Sequence, residues 1–427
     1  MTPADHELLA KTGPGTAMGK LLRRYWVAAL LSRELPEPEG APLRVRLLGE
    51  DLVAFRGADG RVGLLAEHCA HRGASLYFGK NAEGGLRCLY HGWKYDRDGH
   101  CLDMPNEPKQ TQFCDRVKLQ AYPCIERNGV VWTYMGPRET MPPLPELEWL
   151  TVPESHVYVS KCIRECHWTQ GMEGDLDSVH LGILHQDIFK KRASALGHNS
   201  AAWIIGDLTP AEEIIEHPAG IMNATYREVE GNQRYWKVGQ WYLPWFTQVP
   251  GFVGDGPLGG HAWIPIDDER CWVFAFSYHP TRPLTEREVS GKGEVSAFHA
   301  ETTPGTTATV CNAANDYAGP NAPPARQPWM RITNVQAQDI AMTESMGPLY
   351  DRTQECLGHS DRRVILTRRR LIAAARALER GDAPPGQNPK DYRRRPVSLL
   401  LPRDVPSWTE AIADAIDARP ETFVPSV

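Results

Sequence analysis

The chain has 427 residues, 41% of them hydrophobic and 23% charged, a balance that fits an ordinary folded enzyme and excludes a disordered or collagenous chain. Its length exceeds what a single core usually fills, so two domains are expected. The formal net charge of -6 argues against nucleic acid as a partner, because phosphate contacts need a dominant basic surface.

Met1 to Gly15 is polar and lacks an apolar stretch ahead of a small-residue cleavage site, and no run of about 18 apolar residues occurs. A cytoplasmic protein with no membrane contact is the expectation. The 10 cysteines are scattered, which suits reduced thiols and metal ligands better than disulfides. Leu43 to Leu65 alternates apolar and polar residues around Gly49-Glu50 and Gly57-Ala58-Asp59-Gly60, the pattern of a β-meander with tight turns. A further strand, Val130 to Tyr134, precedes a proline-rich stretch from Pro137 to Pro145 that places a domain boundary near residue 140. The expected division is 1–140, an N-terminal arm with a small all-β domain, and 141–427.

In the second part, Arg234 to Phe246, Gly260 to Ile266 and Cys271 to His279 are rich in aromatic and β-branched residues. Met172 to Leu184 and Asp361 to Glu379 carry apolar residues at helical spacing, the latter with Ser360 or Asp361 as N-cap and Gly381 just past its end. The domain is expected to be α+β. Thr281 to Gln327, rich in Gly, Pro, Thr and Ala, suits a lid over a pocket or a surface loop.

Cys69-Ala70-His71 and Cys88-Leu89-Tyr90-His91 place one thiolate and one imidazole on each of two loops. This is the Rieske [2Fe-2S] pattern, in which two cysteines hold one iron and two histidines the other, and neutral imidazoles raise the reduction potential. Two Cys and two His also suit tetrahedral zinc. The Cys-x-His pair departs from the usual Cys-x2-Cys knuckle, and Gly73, Gly92 and Trp93 stand where loops must wrap sulfur closely.

From Glu173 to His185 the chain crowds Asp175, Asp177, His180 and His185 into one apolar stretch. At about 100° per residue Asp177 and His180 share a helix face, whereas His180 and His185 differ by about 140°. The expectation is a distortion near Gly182 that brings both imidazoles to one iron. Two histidines and a carboxylate leave part of an octahedral iron open for O2 beside a substrate.

Trp168 to His185 resembles the iron motif of Rieske non-haem iron oxygenases, particularly the phthalate 4,5-dioxygenase family. The resemblance extends through Leu89 to Asp96, Asp103-Met104-Pro105-Asn106-Glu107-Pro108, Asn315-Asp316-Tyr317, Gln338-Asp339 and Glu344-Ser345-Met346-Gly347. It implies an all-β Rieske domain followed by a catalytic domain with an antiparallel sheet and helices of helix-grip type. It also implies that Asp339, rather than Glu344, completes a mononuclear Fe(II) site with His180 and His185. Asp177 would bridge His180 to His91 or His71 of a neighbouring subunit, in a head-to-tail homotrimer or a hexamer of stacked trimers.

No Gly-x-Gly-x-x-Gly dinucleotide turn or flavin signature is evident, so a separate NAD(P)H-dependent flavin or iron-sulfur reductase is the expected partner, with O2 and an aromatic carboxylate as substrates. The resembled families dihydroxylate phthalate or chlorobenzoate rings, hydroxylate aromatic acids, or O-demethylate methoxylated ones. Ser178 is expected to face the pocket, and Lys190, Lys191, Arg192, Arg227 and Lys237 are candidates to meet a carboxylate. The runs Arg368–Arg370 and Arg393–Arg395 read as exposed faces. A Rieske electron carrier without oxygenase activity is the alternative from another class, and it leaves the second ligand set unexplained.

Overall fold

The computed structural model describes residues 1–196, 199–289, 298–319, 322 and 324–419. The chain divides into two compact units, one formed by Thr12–Met141 with Pro265–Asp267 and the other by Met1–Lys11, Pro142–Ile264 and Asp268–Val427. Residues 1–11, expected in the N-terminal domain, thus belong to the larger unit. Their helix Pro3–Ala10 buries Leu9 and pairs Asp5 with Arg376 at 2.6 Å, contacts that no local pattern announces.

The smaller unit is all β. Leu43–Leu47, Glu50–Arg56 and Val62–Ala66 form the expected meander, joined to Ala121–Tyr122 in one four-stranded sheet. Its first turn places Leu48 at φ 50° and Gly49 at φ 80°, the left-handed pair that a two-residue hairpin requires. A second four-stranded sheet, Lys80–Ala82, Gly85–Arg87, Lys94–Tyr95 and Cys101–Asp103, carries the loop from Cys88 to Trp93. The core between them is Val53, Phe55, Leu65, Leu76, Leu86, Trp93 and Tyr95, together with Cys69 and Cys88.

The larger unit is built on an eight-stranded sheet. Its strands run in the order Val157–Arg164, Cys271–Tyr278, Leu258–Pro265, Phe246–Val249, Gln233–Tyr242, Gly220–Val229, Ala211–His217, with Val397–Pro402 also paired to Gln233–Tyr242. Its central strands are buried on both faces, with aromatic rings such as Trp236 and Trp241 on opposite sides of one strand and Phe276 on another. Helices Trp168–Leu176, Val335–Ser345 and Arg362–Glu379 belong to this unit. Gly171 permits the first helix to approach the sheet: a Cβ there would lie 2.2 Å from the Trp263 ring. Asp361 is the N-cap of the last helix and Gly381, at φ 96°, stands just past its end.

The arginine runs are exposed only in part: Arg369 and Arg393 face solvent, whereas one arginine of each run is buried. Arg368 is buried and pairs with Glu173 at 2.7 Å and Glu355 at 2.5 Å. Arg395 is buried against Glu148, and Arg370 donates to the carbonyl of His217 at 2.9 Å. A guanidinium is tolerated inside when a carboxylate or carbonyls satisfy its fork, and that partner lies far away in sequence. Of 281–327, residues 290–297, 320–321 and 323 lie outside the described residues; the described remainder is mostly turns and short bridges.

Candidate metal centres and the adjoining cavity

The two cysteine loops of the smaller unit share one backbone geometry. The Gly73 amide donates to the Cys69 carbonyl at 2.9 Å and the Gly92 amide to the Cys88 carbonyl at 2.9 Å. The Cys69 amide donates to Ala74 O at 2.9 Å and that of Cys88 to Trp93 O at 2.8 Å. Each turn closes through a glycine in the left-handed region, Gly73 at 75° and Gly92 at 82°, which explains the residue type at both places.

The loops bring the four sequence-predicted ligands together. Cys69 and Cys88 are buried, the His71 and His91 ring centroids lie 4.4 Å apart, and His71 stacks on Trp93 at 4.5 Å. His71 Nδ1 is buried and makes no hydrogen bond among the described residues. Burial pushes the Cys88 thiol up, while the amides of Tyr90 and His91 aim at its sulfur and pull it back. The Tyr95 hydroxyl lies 3.2 Å from Cys69 Sγ. Two adjoining thiols, a bare imidazole nitrogen and amides turned to sulfur fit a [2Fe-2S] group held by Cys69, His71, Cys88 and His91.

In the larger unit the helix breaks twice, and the first break is one that the helical spacing does not announce. Trp168–Leu176 ends at Asp177, whose backbone is extended (φ -87°, ψ 130°), and a short helix, His180–Ile183, comes next. The cause is the Asp177 side chain, which accepts from the amides of Val179 at 2.8 Å and His180 at 3.2 Å and so competes with the helical ladder. The distortion expected near Gly182 is present as well: the short helix ends at Ile183, Leu184 and His185 form a turn, and a new helix starts at Gln186. Gly182 itself is not where the helix ends. It lies within the short helix, where an added Cβ would come 2.8 Å from the Ile204 carbonyl oxygen.

His180, His185 and Asp339 each offer a ligand atom, all within 4.8 Å of one another, and among the described residues this is the one such group of three. Asp339 Oδ1 lies 3.0 Å from His185 Nε2 and 3.7 Å from His180 Nε2. Hydrogen bonding decides the state of both rings. Gln338 Nε2 donates to Ile332 O at 2.9 Å, so its Oε1 faces His185 and accepts from Nδ1 at 2.8 Å. Asp177 Oδ2 likewise accepts from His180 Nδ1 at 3.1 Å. In neutral rings both Nε2 atoms then carry lone pairs that face a carboxylate, and His185 Nε2 is buried without a hydrogen bond.

Acceptors turned on one another need a cation between them. Burial alone would lower the His180 pKa, but Asp177, Asp339 and Asp175 outweigh it and raise it, so the local field favours positive charge. Burial pushes the Asp177 carboxyl up, and the bond from His180 with the Val179 and His180 amides holds it down at about 2. Two imidazole nitrogens and one carboxylate fit a mononuclear iron that keeps open positions. Glu344 is elsewhere, accepting from the Glu165 amide at 3.0 Å.

A cavity of about 960 Å³ adjoins this group, lined by Leu184, Phe189, Phe252, Val253, Leu258 and Trp263 among others. Lys237 reaches it from the strand Gln233–Tyr242 and donates to the carbonyls of Pro250 at 2.7 Å and Gly251 at 3.0 Å. Ser178 and Arg227 are not part of the lining. Ser178 accepts from Arg363 at 2.8 Å, because the break at Asp177 turns it away, and Arg227 donates to Asp207 O at 3.0 Å. Lys190 and Lys191 are exposed, and the side chain of Arg192 lies outside the described residues. The sequence shows Asp175 and Gln338 within its motifs but gives neither a role, and the cavity residues His261 and Trp263 are not singled out; lone side chains on a buried strand carry no periodic signal.

A small β unit with two paired cysteine-histidine loops, and an α+β unit with a two-histidine, one-carboxylate group beside a cavity, together define a protein of the two-centre Rieske oxygenase class. Residues 25–123 match the Rieske [2Fe-2S] domain, and residues 133–232 with 295–399 match the LigXa C-terminal domain like family. The chain is 34% identical over 432 residues to the 3-chlorobenzoate-3,4-dioxygenase oxygenase subunit of Comamonas testosteroni, covering 97% of this chain and 98% of that one. It is also 34% identical to the phthalate 4,5-dioxygenase oxygenase subunit of Pseudomonas putida, covering 96% and 94%. The terminal oxygenase of carbazole 1,9a-dioxygenase from Novosphingobium sp. KA1 shares the fold, with a TM-score of 0.58 at 21% identity over 87% of this chain and 95% of that one.

The chain belongs to the family of Rieske non-haem iron oxygenases, among the oxygenase subunits related to phthalate 4,5-dioxygenase. Its cofactors are a Rieske [2Fe-2S] cluster and a mononuclear non-haem Fe(II). Among the described residues, no helix is long and apolar enough to cross a membrane.

Proposed function

We propose that this chain is the terminal oxygenase of a multicomponent system that hydroxylates an aromatic carboxylate, resembling phthalate or a substituted benzoate, with O2 and electrons from an NAD(P)H-linked flavin or iron-sulfur reductase. The observation that carries the substrate class is Lys237, a buried cation at an apolar cavity whose ammonium meets carbonyl oxygens and, among the described residues, no carboxylate. A buried ammonium without a counter-ion is costly, and a substrate carboxylate supplies one. Burial pulls the Lys237 pKa down to about 7, so the side chain gains most from an anion that restores its charge.

When bound, the cluster supplies electrons one at a time and the mononuclear iron activates O2. The protein's part is positional. Cys69, His71, Cys88 and His91 hold the first group, and His180, His185 and Asp339 the second. Gln338 and Asp177 each fix one imidazole with its Nε2 toward the metal. Leu184, Phe189 and Phe252 exclude water from the reacting ring. In the assembly, a homotrimer or a hexamer of stacked trimers, Asp177 joins His180 to His71 or His91 of the partner subunit. Partial exposure of the Asp177 carboxylate, 32%, supports this role, since a second partner can still reach it.

Anaerobic purification followed by iron and acid-labile sulfide analysis tests the two centres. A cluster plus one further iron per chain supports the reading, and a cluster alone that added Fe(II) cannot supplement returns the chain to an electron carrier. Turnover of phthalate and substituted benzoates with a surrogate reductase then separates the chemistries: a dihydrodiol or catechol marks ring attack, and formaldehyde marks O-demethylation.

A further inference from the structure

Asp175 stands on the helix Trp168–Leu176 and lines the cavity. Three donors converge on its Oδ2: Thr247 Oγ1 at 2.5 Å, His261 Nδ1 at 2.8 Å and Trp263 Nε1 at 2.9 Å. The sheet supplies all three. Thr247 and His261 are cross-strand partners, and His261 and Trp263, two apart on one strand, point to the same side. His261 Nε2 lies 2.9 Å from the Phe298 carbonyl, which can only accept. Both ring nitrogens therefore donate, the ring is an imidazolium, and Asp175 is its counter-ion.

The other carboxylate oxygen is treated differently. Oδ1 of Asp175 takes no hydrogen bond among the described residues, and the side chain keeps 14% exposure. With Oδ2 covered by three donors, Oδ1 is the carboxylate oxygen left for a ligand in the cavity that Asp175 lines. Anything that displaces water from an ionised oxygen must bring a donor of its own or leave the oxygen bare, and sites of this kind discriminate sharply against ligands that lack the donor.

We propose that Asp175 is a specificity-determining residue that accepts a hydrogen bond from a hydroxyl or N–H group of the substrate. The substrate class is then an aromatic acid with a donor remote from its carboxylate, because like charge keeps the carboxylate itself away from Asp175. This deepens the aromatic-acid reading above and rests on it for the acid alone.

The test is calorimetric titration of the holoenzyme with meta- and para-hydroxybenzoate, the matching methoxybenzoates, and the non-acidic pairs of cresols and their methyl ethers. The hydroxy acids should bind at least tenfold more tightly than their methoxy counterparts. Asp175→Asn, which can turn its oxygen to the three donors and its amide to the cavity, should collapse or reverse that ratio, with the cluster absorbance and thermal midpoint as controls of folding. Equal binding of hydroxy and methoxy acids by the unaltered protein overturns the proposal, and decides it even where the variant does not fold. An undiminished ratio in Asp175→Asn overturns it as well. Cresols that outbind their ethers while no benzoate binds would sustain Asp175 and remove the acid reading. Benzoates bound without distinction would do the opposite, and binding of neither series would remove both.

Discussion

In the smaller unit, Cys69 and Cys88 open loops that each close on a glycine four residues later, so every ligand is delivered by a short, self-contained piece of backbone. In the larger unit, His180 and His185 lie beyond a helix break, and Asp339 comes from a distant helix. The first site is specified by local turn geometry. The second exists only once helices have packed, and it depends on side chains that hold other side chains, as Gln338 holds His185.

The sharpest way to break this comparison is to remove a ligand from each site. His180→Ala should lose the mononuclear iron and oxygenation by a factor of roughly a thousand or more, while the Rieske electron paramagnetic resonance signal stays unchanged. Cys69→Ser should bleach the cluster and destabilise the smaller unit while the mononuclear iron still binds. Iron analysis with spectroscopy reads both, and loss of both centres in either variant would show that the sites are not independent.

A finer cut leaves all ligands in place. Asp177→Asn keeps the shape of the turn but removes the charge that the proposed trimer uses, so turnover should fall about a hundredfold with the mononuclear iron retained. Gln338→Leu removes the acceptor for His185 Nδ1 and frees the ring to change tautomer or rotate. Iron affinity should weaken roughly 10–100-fold, measured by competition with a chelator, with Gln338→Glu restoring most of it. Were Gln338→Leu to bind iron normally, packing alone would orient His185 and the distinction between the two sites would weaken.

The same contrast explains what can be read from the chain before folding. Cys69, His71, Cys88 and His91 are legible because spacing and glycines fall within one loop each, and the meander is legible because its turns are local. His180 and His185 are visible as a cluster, and Asp339 only through family resemblance, since a lone acidic residue on a helix has no signal of its own. Ser178 and Arg227 are misplaced by sequence reasoning. The break at Asp177, made by a side chain, turns Ser178 away from the cavity, and Arg227 is taken up by the distant Asp207 carbonyl. Arg368 and Arg395 look exposed in the sequence because Glu173, Glu355 and Glu148, which make their burial tolerable, are not their neighbours there.

Lys237 sharpens the comparison from the side of the substrate, because its pocket trades stability for recognition. Burial holds its pKa at about 7 in the folded chain, against about 10.4 for a free lysine. Below pH 7 both folded and unfolded chains carry the proton, so the full cost of the buried charge is felt. Between about pH 7 and 10.4 the unfolded chain binds more protons, so this contribution makes the protein more stable as pH rises. Lys237→Met should therefore raise the unfolding free energy, by an amount on the order of a few kcal/mol near pH 6 that fades toward pH 10, and with it the thermal midpoint. The same variant should lose affinity for benzoates about tenfold or more near pH 6, and the unaltered protein should lose affinity of its own accord as pH climbs past 7. A midpoint that falls in Lys237→Met would mean that the two carbonyl contacts outweigh desolvation, and an affinity insensitive to both changes would move the carboxylate to another part of the cavity.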